Sequence, residues 1–191
     1  MNTFSALVMG VLALGLVYGV LAYNGLVNLK HNITKAWANI DVLLKQRHDE
    51  LPKLVEVCRQ YKQFEQTTLA RVTEARARVA AARETHDVDA LGSAESMLRA
   101  GLGQIFAVAE AYPELKANEH FAQLQSRIST LENGIADRRE WYNEAVNRHN
   151  VRIEQFPDLI VARLFAFSAQ PLLQFSSAEK ADVDLKALFK G

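Results

Sequence analysis

The chain of 191 residues is poor in cysteine and proline, and it carries no net charge. The single cysteine, Cys58, points neither toward nor away from an oxidising compartment. Four prolines and nine glycines leave little room for long disordered stretches, while 49% aliphatic and aromatic residues suffice for a sizeable core. The 22 Lys and Arg residues balance 22 Asp and Glu residues, which argues against a nucleic-acid-binding protein.

Motifs for catalysis and for cofactors are also missing. The sequence has neither of the two common glycine-rich phosphate-binding loops. No histidine belongs to H-E-x-x-H or follows a Glu by three residues, which excludes the zincin and bundle-type di-iron motifs. Cys58 falls on an apolar helix face, where a buried, inert thiol is expected. We therefore predict no enzyme, no metal and no cofactor. The histidines are His31, His48, His86, His120 and His149.

Charge is absent from residues 1–29, and this part contains the longest apolar run. Residues 4–23 would span about 30 Å as a helix, the thickness of the hydrocarbon core, and so predict a transmembrane anchor. Gly15 and Gly19 form a G-x-x-x-G pair that can bring helices together, although glycine is common in such spans. A cleaved signal peptide is the main alternative, but residues 1–5 lack its usual positive charge. We favour an uncleaved anchor.

The orientation of this single span follows from the charges beside it. Lys30, Lys35, Lys45 and Arg47 come soon after the span, against the single acid Asp41. The positive-inside rule then places the C-terminal domain in the cytoplasm and the N-terminus outside.

Four helical stretches are predicted from apolar residues that recur at steps of three and four. The first continues from the span to about residue 47, and a break is expected at 48–52, where Pro52 suits the first turn of the second stretch. The second runs to about 82, a polar connection at 85–89 offers Asp87 as an N-cap, and the third stops before Pro113. The fourth begins at Asn118. The predicted fold is all-α: the transmembrane helix continues into an elongated antiparallel bundle of long helices.

The fourth stretch holds a seven-residue repeat, which predicts a narrow seam against other helices. Arg138 and His149 occupy seam positions, where polar residues fix helix register or mark a wetter end of the bundle; we favour register. The seam residues are Phe121, Leu124, Ile128, Leu131, Ile135, Arg138, Tyr142, Ala145 and His149.

The tail after Phe156-Pro157 is apolar, and residues 159–175 carry one charge, Arg163. Pro171 and the short length argue against a second span. Folding back over the bundle is the favoured interpretation. Insertion in the membrane interface and contact between protomers are the alternatives.

Two polar clusters lie at predicted helix ends. The first surrounds the predicted break at 48–52, and the second is the turn at 110–118. Helix capping explains both, and a partner or ligand site at the bundle ends is the alternative. The candidate partner-binding residues are Asp41, Arg47, His48, Asp49, Glu110, Tyr112, Lys116 and Asn118.

Several of these segments together resemble the LemA family of bacterial membrane-anchored helical proteins. The similarity rests on Tyr23-Asn24-Gly25-Leu26-Val27, on the run from Ala36-Trp37-Ala38 to Leu54-Val55, on Glu110–Asn118, on Glu132-Asn133, on Tyr142-Asn143 and on Phe156-Pro157. It implies an N-terminal anchor in the bacterial inner membrane, a cytoplasmic helical domain and no established enzymatic activity. It also implies association with membrane metalloproteases of the HtpX type, and relatives that act in magnetosome membrane formation.

These observations divide the chain into a short tail at 1–3, the anchor at 4–23, a LemA-like bundle domain at 24–157 and the apolar tail at 158–191. The leading functional hypothesis is a non-enzymatic scaffold or adaptor that presents its bundle to protein partners. The alternative is a membrane-organising protein that uses its apolar tail and self-association at the lipid interface, so its partners would be the bilayer and further copies of itself. An enzyme built on Asp41, His48, Glu110 and Lys116 is the third and weakest hypothesis.

Overall fold

A computed structural model describes residues 3–61 and 64–174, and these residues form helices without any strand. The all-α prediction is confirmed. The helices are α1 (Thr3–Arg59), α2 (Gln66–Glu84), α3 (Val88–Ala109), α4 (Pro113–Lys116), α5 (Glu119–Glu154) and α6 (Asp158–Leu164).

The chain divides into two compact units. Unit 1 combines Met1–Asn39 with Arg138–Leu172, and unit 2 combines Ile40–Asp137 with Leu173–Gly191. The two long helices, α1 and α5, each contribute residues to both units, whereas α2, α3 and α4 belong to unit 2 and α6 to unit 1.

Helix α1 continues through Pro52 to Arg59, so the predicted break at 48–52 is wrong. A proline inside a helix removes the hydrogen bond to the carbonyl four residues earlier, which here is that of His48. Arg76 of α2 replaces it, because its Nε donates to the His48 carbonyl oxygen at 3.0 Å. This donor lies far along the sequence from Pro52, so local pattern could not reveal it.

The true connection between α1 and α2 lies later in the chain, and α2 begins at Gln66 rather than near Leu51. After α1 the backbone turns through short-range bonds, from Tyr61 N to Cys58 O at 3.1 Å and from Phe64 N to Tyr61 O at 2.9 Å. Glu65 then accepts hydrogen bonds from the hydroxyls of Thr68, at 2.8 Å, and Thr67, at 3.0 Å. These hydroxyls lower the pKa of Glu65 and order the entry to α2.

The predicted caps of the later helices are confirmed. Asp87 precedes α3 and accepts a hydrogen bond from the backbone N–H of Ala90 at 2.9 Å. Asn118 precedes α5 and accepts from the N–H of Phe121 at 3.1 Å. In both cases a side-chain oxygen binds a backbone donor that the first helical turn leaves unpaired. The turn at 110–118 also contains the short helix α4, which starts at Pro113.

The core of unit 2 is an apolar layer between its helices. Helices α2 and α3 approach so closely that a Cβ added to Gly101 would lie 2.8 Å from Cγ2 of Val72. Cys58 is fully buried in this unit, as predicted, and burial raises its pKa to about 12, which disfavours the reactive thiolate. Other members are Ile40, Leu44, Leu51, Leu54, Leu69, Val79, Leu91, Leu98, Ile105, Phe121 and Ile128.

The N-terminal part of α1 is long and apolar enough to cross a membrane, by length and composition. Its side chains are almost all exposed up to Leu21, and burial in unit 1 begins at Ala22 and Leu26. These two residues form a small core with Ile153 of α5 and with Val161 and Ala162 of α6, against which Phe167 packs.

The tail folds back over unit 1, as favoured from sequence. Asn150 of α5 pairs with the backbone of Gln170 through two hydrogen bonds of 2.9 Å, one as donor and one as acceptor. The Tyr142 hydroxyl donates to the Pro171 carbonyl at 3.1 Å. Tyr142 and His149 are both buried on the predicted seam of α5. The tail prediction for residues 175–191 lies outside the described residues.

Candidate functional site

The guanidinium of Arg47 is one of the two most buried charged groups described in unit 2, and the other is the carboxylate of Glu95. Arg47 comes from α1 and is 1% exposed, and it pairs with two carboxylates, Glu95 of α3 and Glu132 of α5. Glu132 also pairs with Arg99 of α3 at 3.2 Å from Nε to Oε2. Three helices are thus joined through one arginine, so this ion network ties the helices of unit 2 together.

Burial and charge oppose each other at this network. Burial raises the pKa of Glu95 above its ordinary value, although the charge and hydrogen bond of Arg47 oppose that shift. Burial also disfavours the charged form of Arg47, but Glu95 and Glu132 outweigh it and hold the Arg47 pKa above its ordinary value. Such a network contributes little net stability as a whole, but removing one partner is costly because it leaves a buried charge unpaired.

The capping interpretation of the first cluster is wrong, because α1 continues through these residues to Arg59. The remaining residues of the cluster fall into different environments. Asp41 pairs with Arg83 of α2, with 2.5 Å between Oδ1 and Nε. Arg76 Nη2 lies 2.6 Å from His48 Nε2, and because an arginine can only donate, Nε2 must accept. Burial first, and then the charge of Arg76, lower the pKa of His48, which favours the neutral imidazole. Asp49 is exposed.

Asp49 lines a groove between α1 and α5 in unit 2, with a volume of about 610 Å³. The buried carboxylate of Glu50 also lines the groove, and it pairs with Arg127 of α5 at 2.7 Å and with Lys53 at 3.3 Å. The groove therefore presents side chains of both signs. Its lining is completed by Gln46, Ser126, Thr130 and Leu131.

The second cluster closes the end of α3 and the start of α5. Asn118 donates from Nδ2 to the Tyr61 hydroxyl at 3.2 Å, and that hydroxyl donates to the Glu114 carbonyl at 3.4 Å. The Tyr112 ring packs against Phe64 with 5.8 Å between centroids. The side chains of Glu110 and Lys116 are exposed. These contacts agree with the capping interpretation of the cluster.

The two clusters do not form one site. Asp41 and His48 contact α2, whereas the second cluster contacts Tyr61, beyond the C-terminal end of α1. From His48 to Arg59 the helix rises about 16 Å. The four groups of the enzyme hypothesis, Asp41, His48, Glu110 and Lys116, are therefore not assembled for catalysis. Among the described residues, no group of three or more His, Cys, Asp or Glu side chains could hold a metal ion.

Sequence reasoning missed the partners of these residues. Glu95 carries a sequence signal, since it lies one turn after Leu91 and before Leu98 on the buried side of α3, where an acid requires a buried partner. Arg76 and Arg83 carry no such signal, because arginine on an amphipathic helix is ordinary. The partner-binding role of the eight candidates stays a prediction, and Arg47 is buried within the fold.

The fold defines a helical protein whose N-terminal helix is long and apolar enough to cross a membrane. Within that class the chain belongs to the LemA family, whose signature matches residues 36–186. It is 29% identical to Protein LemA of Metamycoplasma hominis over 93% of this chain and 81% of that protein. It is also 20% identical to the magnetosome proteins MamQ 1 and MamQ 2 of Paramagnetospirillum magneticum, over 90% of this chain and 71% of each of those proteins.

Proposed function

We propose that this LemA-family protein is a non-enzymatic scaffold or adaptor, anchored in the bacterial inner membrane by α1 with its helical domain in the cytoplasm. The observation that carries the proposal is that the charged residues of the first cluster are paired within the protein while a groove beside them is open. Asp41, Arg47 and His48 are paired with other helices of unit 2, and the mixed-charge groove beside Asp49 remains exposed. Such a surface suits recognition of a protein partner better than it suits bond-making chemistry.

Membrane anchoring is supported by the exposure of the apolar side chains along the first turns of α1. In water an exposed apolar patch of this size would favour aggregation, whereas lipid would cover it. The lysines at 30, 35 and 45 follow this segment and favour a cytoplasmic domain. A membrane metalloprotease of the HtpX type, implied by the family resemblance, is the partner we propose.

Site-specific photocrosslinking of the full chain in native membranes tests the scaffold. A photoreactive residue at Thr130 in the groove should give an adduct that contains the metalloprotease, and the charge reversal Arg127→Glu should weaken it. The same probe at Glu74, on the exposed side of α2, is the matched control. Equal adducts from both positions, or an adduct indifferent to Arg127→Glu, would contradict a scaffold that acts through the groove.

Membrane organisation is a second candidate, and α6 favours it. Ile160 and Leu164 lie one turn apart on α6 and are 60% and 76% exposed, and Phe156, in the turn before α6, is 80% exposed. The other side of α6 packs on Ala22 and Leu26. The Tyr18 hydroxyl also donates to Asp158 Oδ1 at 2.9 Å, which holds the start of α6 beside the last turns of the apolar segment. An apolar row at that level would enter the boundary between headgroups and acyl chains.

Spin labelling of the full chain in liposomes tests this position of α6. A nitroxide introduced through Ile160→Cys should collide more with oxygen, which concentrates in lipid, than with a water-soluble nickel reagent. A label introduced through Asn147→Cys, an exposed position of α5, gives the comparison. Cys58 is buried and should not react with the label. Preferential collision with nickel at position 160 would argue against lipid contact.

A further inference from the structure

Unit 1 contains a cavity of about 360 Å³ beside the end of the apolar segment. Tyr23, the last residue of that segment, lines it, and so do Lys30, His31 and Thr34 from the next turns of α1. The cavity thus extends over about 16 Å of α1 from the level where a membrane-spanning helix would leave the hydrocarbon core. His149 of α5 and residues 165–168 of the tail form other parts of its wall.

The lining combines an aromatic surface with a cation. The Tyr23 ring lies 4.7 Å from the Phe165 ring and 5.9 Å from the Phe167 ring, measured between centroids. The ammonium of Lys30 and the hydroxyl of Thr34 supply polar groups, and among the described residues no Asp or Glu lines the cavity. Such a site favours a ligand that has a negative charge next to an apolar part.

His149 adds a specific polar requirement to the wall. The side chain is 1% exposed, and its Nε2 donates to the Ser168 carbonyl at 3.1 Å. Since a carbonyl oxygen can only accept, Nε2 carries a proton, and neutral imidazole then has an acceptor at Nδ1. Nδ1 is buried and has no hydrogen-bond partner in the part of the chain that the structure describes. A buried acceptor without a donor is costly, so a ligand hydroxyl placed there would be favoured.

We infer that this cavity binds the headgroup of an anionic phospholipid that carries hydroxyl groups, such as phosphatidylglycerol. Its phosphate would pair with Lys30, and a headgroup hydroxyl would donate to His149. Lys30 lies about 10 Å along the helix beyond Tyr23, and helical side chains lean toward the N-terminus, so its ammonium can reach back to the phosphates. The inference rests on the proposed membrane anchoring, because only a lipid-embedded α1 brings the cavity to the headgroup layer.

Native mass spectrometry of the full chain released from lipid nanodiscs tests the site. In nanodiscs of equal phosphatidylcholine and phosphatidylglycerol, the protein should retain phosphatidylglycerol preferentially. Loss of one juxtamembrane charge by Lys30→Gln should lower that preference about fivefold. Lys35→Gln is the matched control, because Lys35 is exposed on the same helix and does not line the cavity. Equal losses in both variants would reveal general surface charge and would overturn the site.

Further arms separate headgroup chemistry, ligand source and anchoring. Phosphatidylmethanol has the same charge without hydroxyls, so weaker retention of it supports the role of His149, and equal retention overturns that role.

An excess of inorganic phosphate should not displace the lipid; displacement would assign the site to a soluble phosphate. Flotation with pure phosphatidylcholine vesicles checks the anchor independently. A protein that floats but shows no headgroup preference refutes the site alone, whereas one that does not float refutes the anchoring on which the site rests.

Discussion

Arg76 of α2 donates from Nε to the carbonyl oxygen of His48 at 3.0 Å, and His48 lies four residues before Pro52. This contact supplies the hydrogen bond that Pro52 cannot make, and the same guanidinium also contacts His48 Nε2 at 2.6 Å. A side chain of α2 therefore supplies the missing backbone hydrogen bond of α1 at its one internal proline. The continuity of α1 thus depends on a tertiary contact.

Replacing Arg76 should destabilise the protein, and the effect should depend on Pro52. Arg76→Gln leaves the His48 carbonyl without its donor and should lower the free energy of unfolding by about 1–3 kcal/mol. In a Pro52→Ala background the backbone N–H at position 52 can bind that carbonyl, so the same replacement should cost less. Thermal unfolding of the four proteins of this double-mutant cycle measures the coupling. If the effects of the two replacements on the free energy of unfolding were additive, Arg76 would not compensate for the hydrogen bond that Pro52 lacks.

The buried ion network predicts an unequal response to removal of two arginines. Arg47→Ala should cost about 3–5 kcal/mol, because it leaves Glu95 buried without its partner. Arg78→Ala is the matched control: Arg78 pairs with Glu74 on the exposed side of α2, and such pairs contribute at most about 1 kcal/mol. Denaturant unfolding in detergent compares the two variants. If the two variants lost similar free energies of unfolding, burial would not determine the cost of removing Arg47.

Glu95 predicts a dependence of stability on pH. Its pKa in the folded protein is raised above the ordinary 4.5, so the folded state holds the proton more tightly than the unfolded state does. The resulting stabilisation is present below pH 4.5 and is lost as pH rises through the folded pKa. Glu95→Gln removes this titration. The stability of the variant relative to the natural protein should therefore increase as pH rises above 4.5, and a constant or decreasing difference would refute the shift.

Helix existence could be predicted from sequence because it depends on local periodicity and capping. Asp87 and Asn118 are short-range caps, and both lie where the pattern placed them. The end of α1 depends on a donor from another helix, Arg76, and no local rule contains that information. The same distinction applies to the candidate site. The polar residues of the first cluster were identifiable by type, but the burial of Arg47 depends on Glu95 and Glu132 from α3 and α5.

Cys58 predicts that thiol modification reports on unfolding. It is buried in unit 2, and its pKa of about 12 leaves almost no thiolate at neutral pH. A maleimide reagent should therefore react with the native protein very slowly, and the rate should rise across the unfolding transition. A protein that carries an added exposed cysteine at Asn147 provides the fast reference. Rapid modification of the natural protein without denaturant would show that Cys58 is accessible.

Two glycines of α3, two residues apart, should respond oppositely to the same substitution. A Cβ at Gly101 would lie 2.8 Å from Val72 Cγ2, so Gly101→Ala must move α2 or its side chain and should cost about 1–3 kcal/mol. A Cβ at Gly103 would meet nothing within 4 Å, and alanine is the better helix former, so Gly103→Ala should stabilise by up to about 1 kcal/mol. Val72→Ala should relieve part of the cost at Gly101, since it removes the opposing methyl group. Thermal unfolding of the single and double variants measures all three effects, and stabilisation by Gly101→Ala would show that α2 and α3 are not in this close contact.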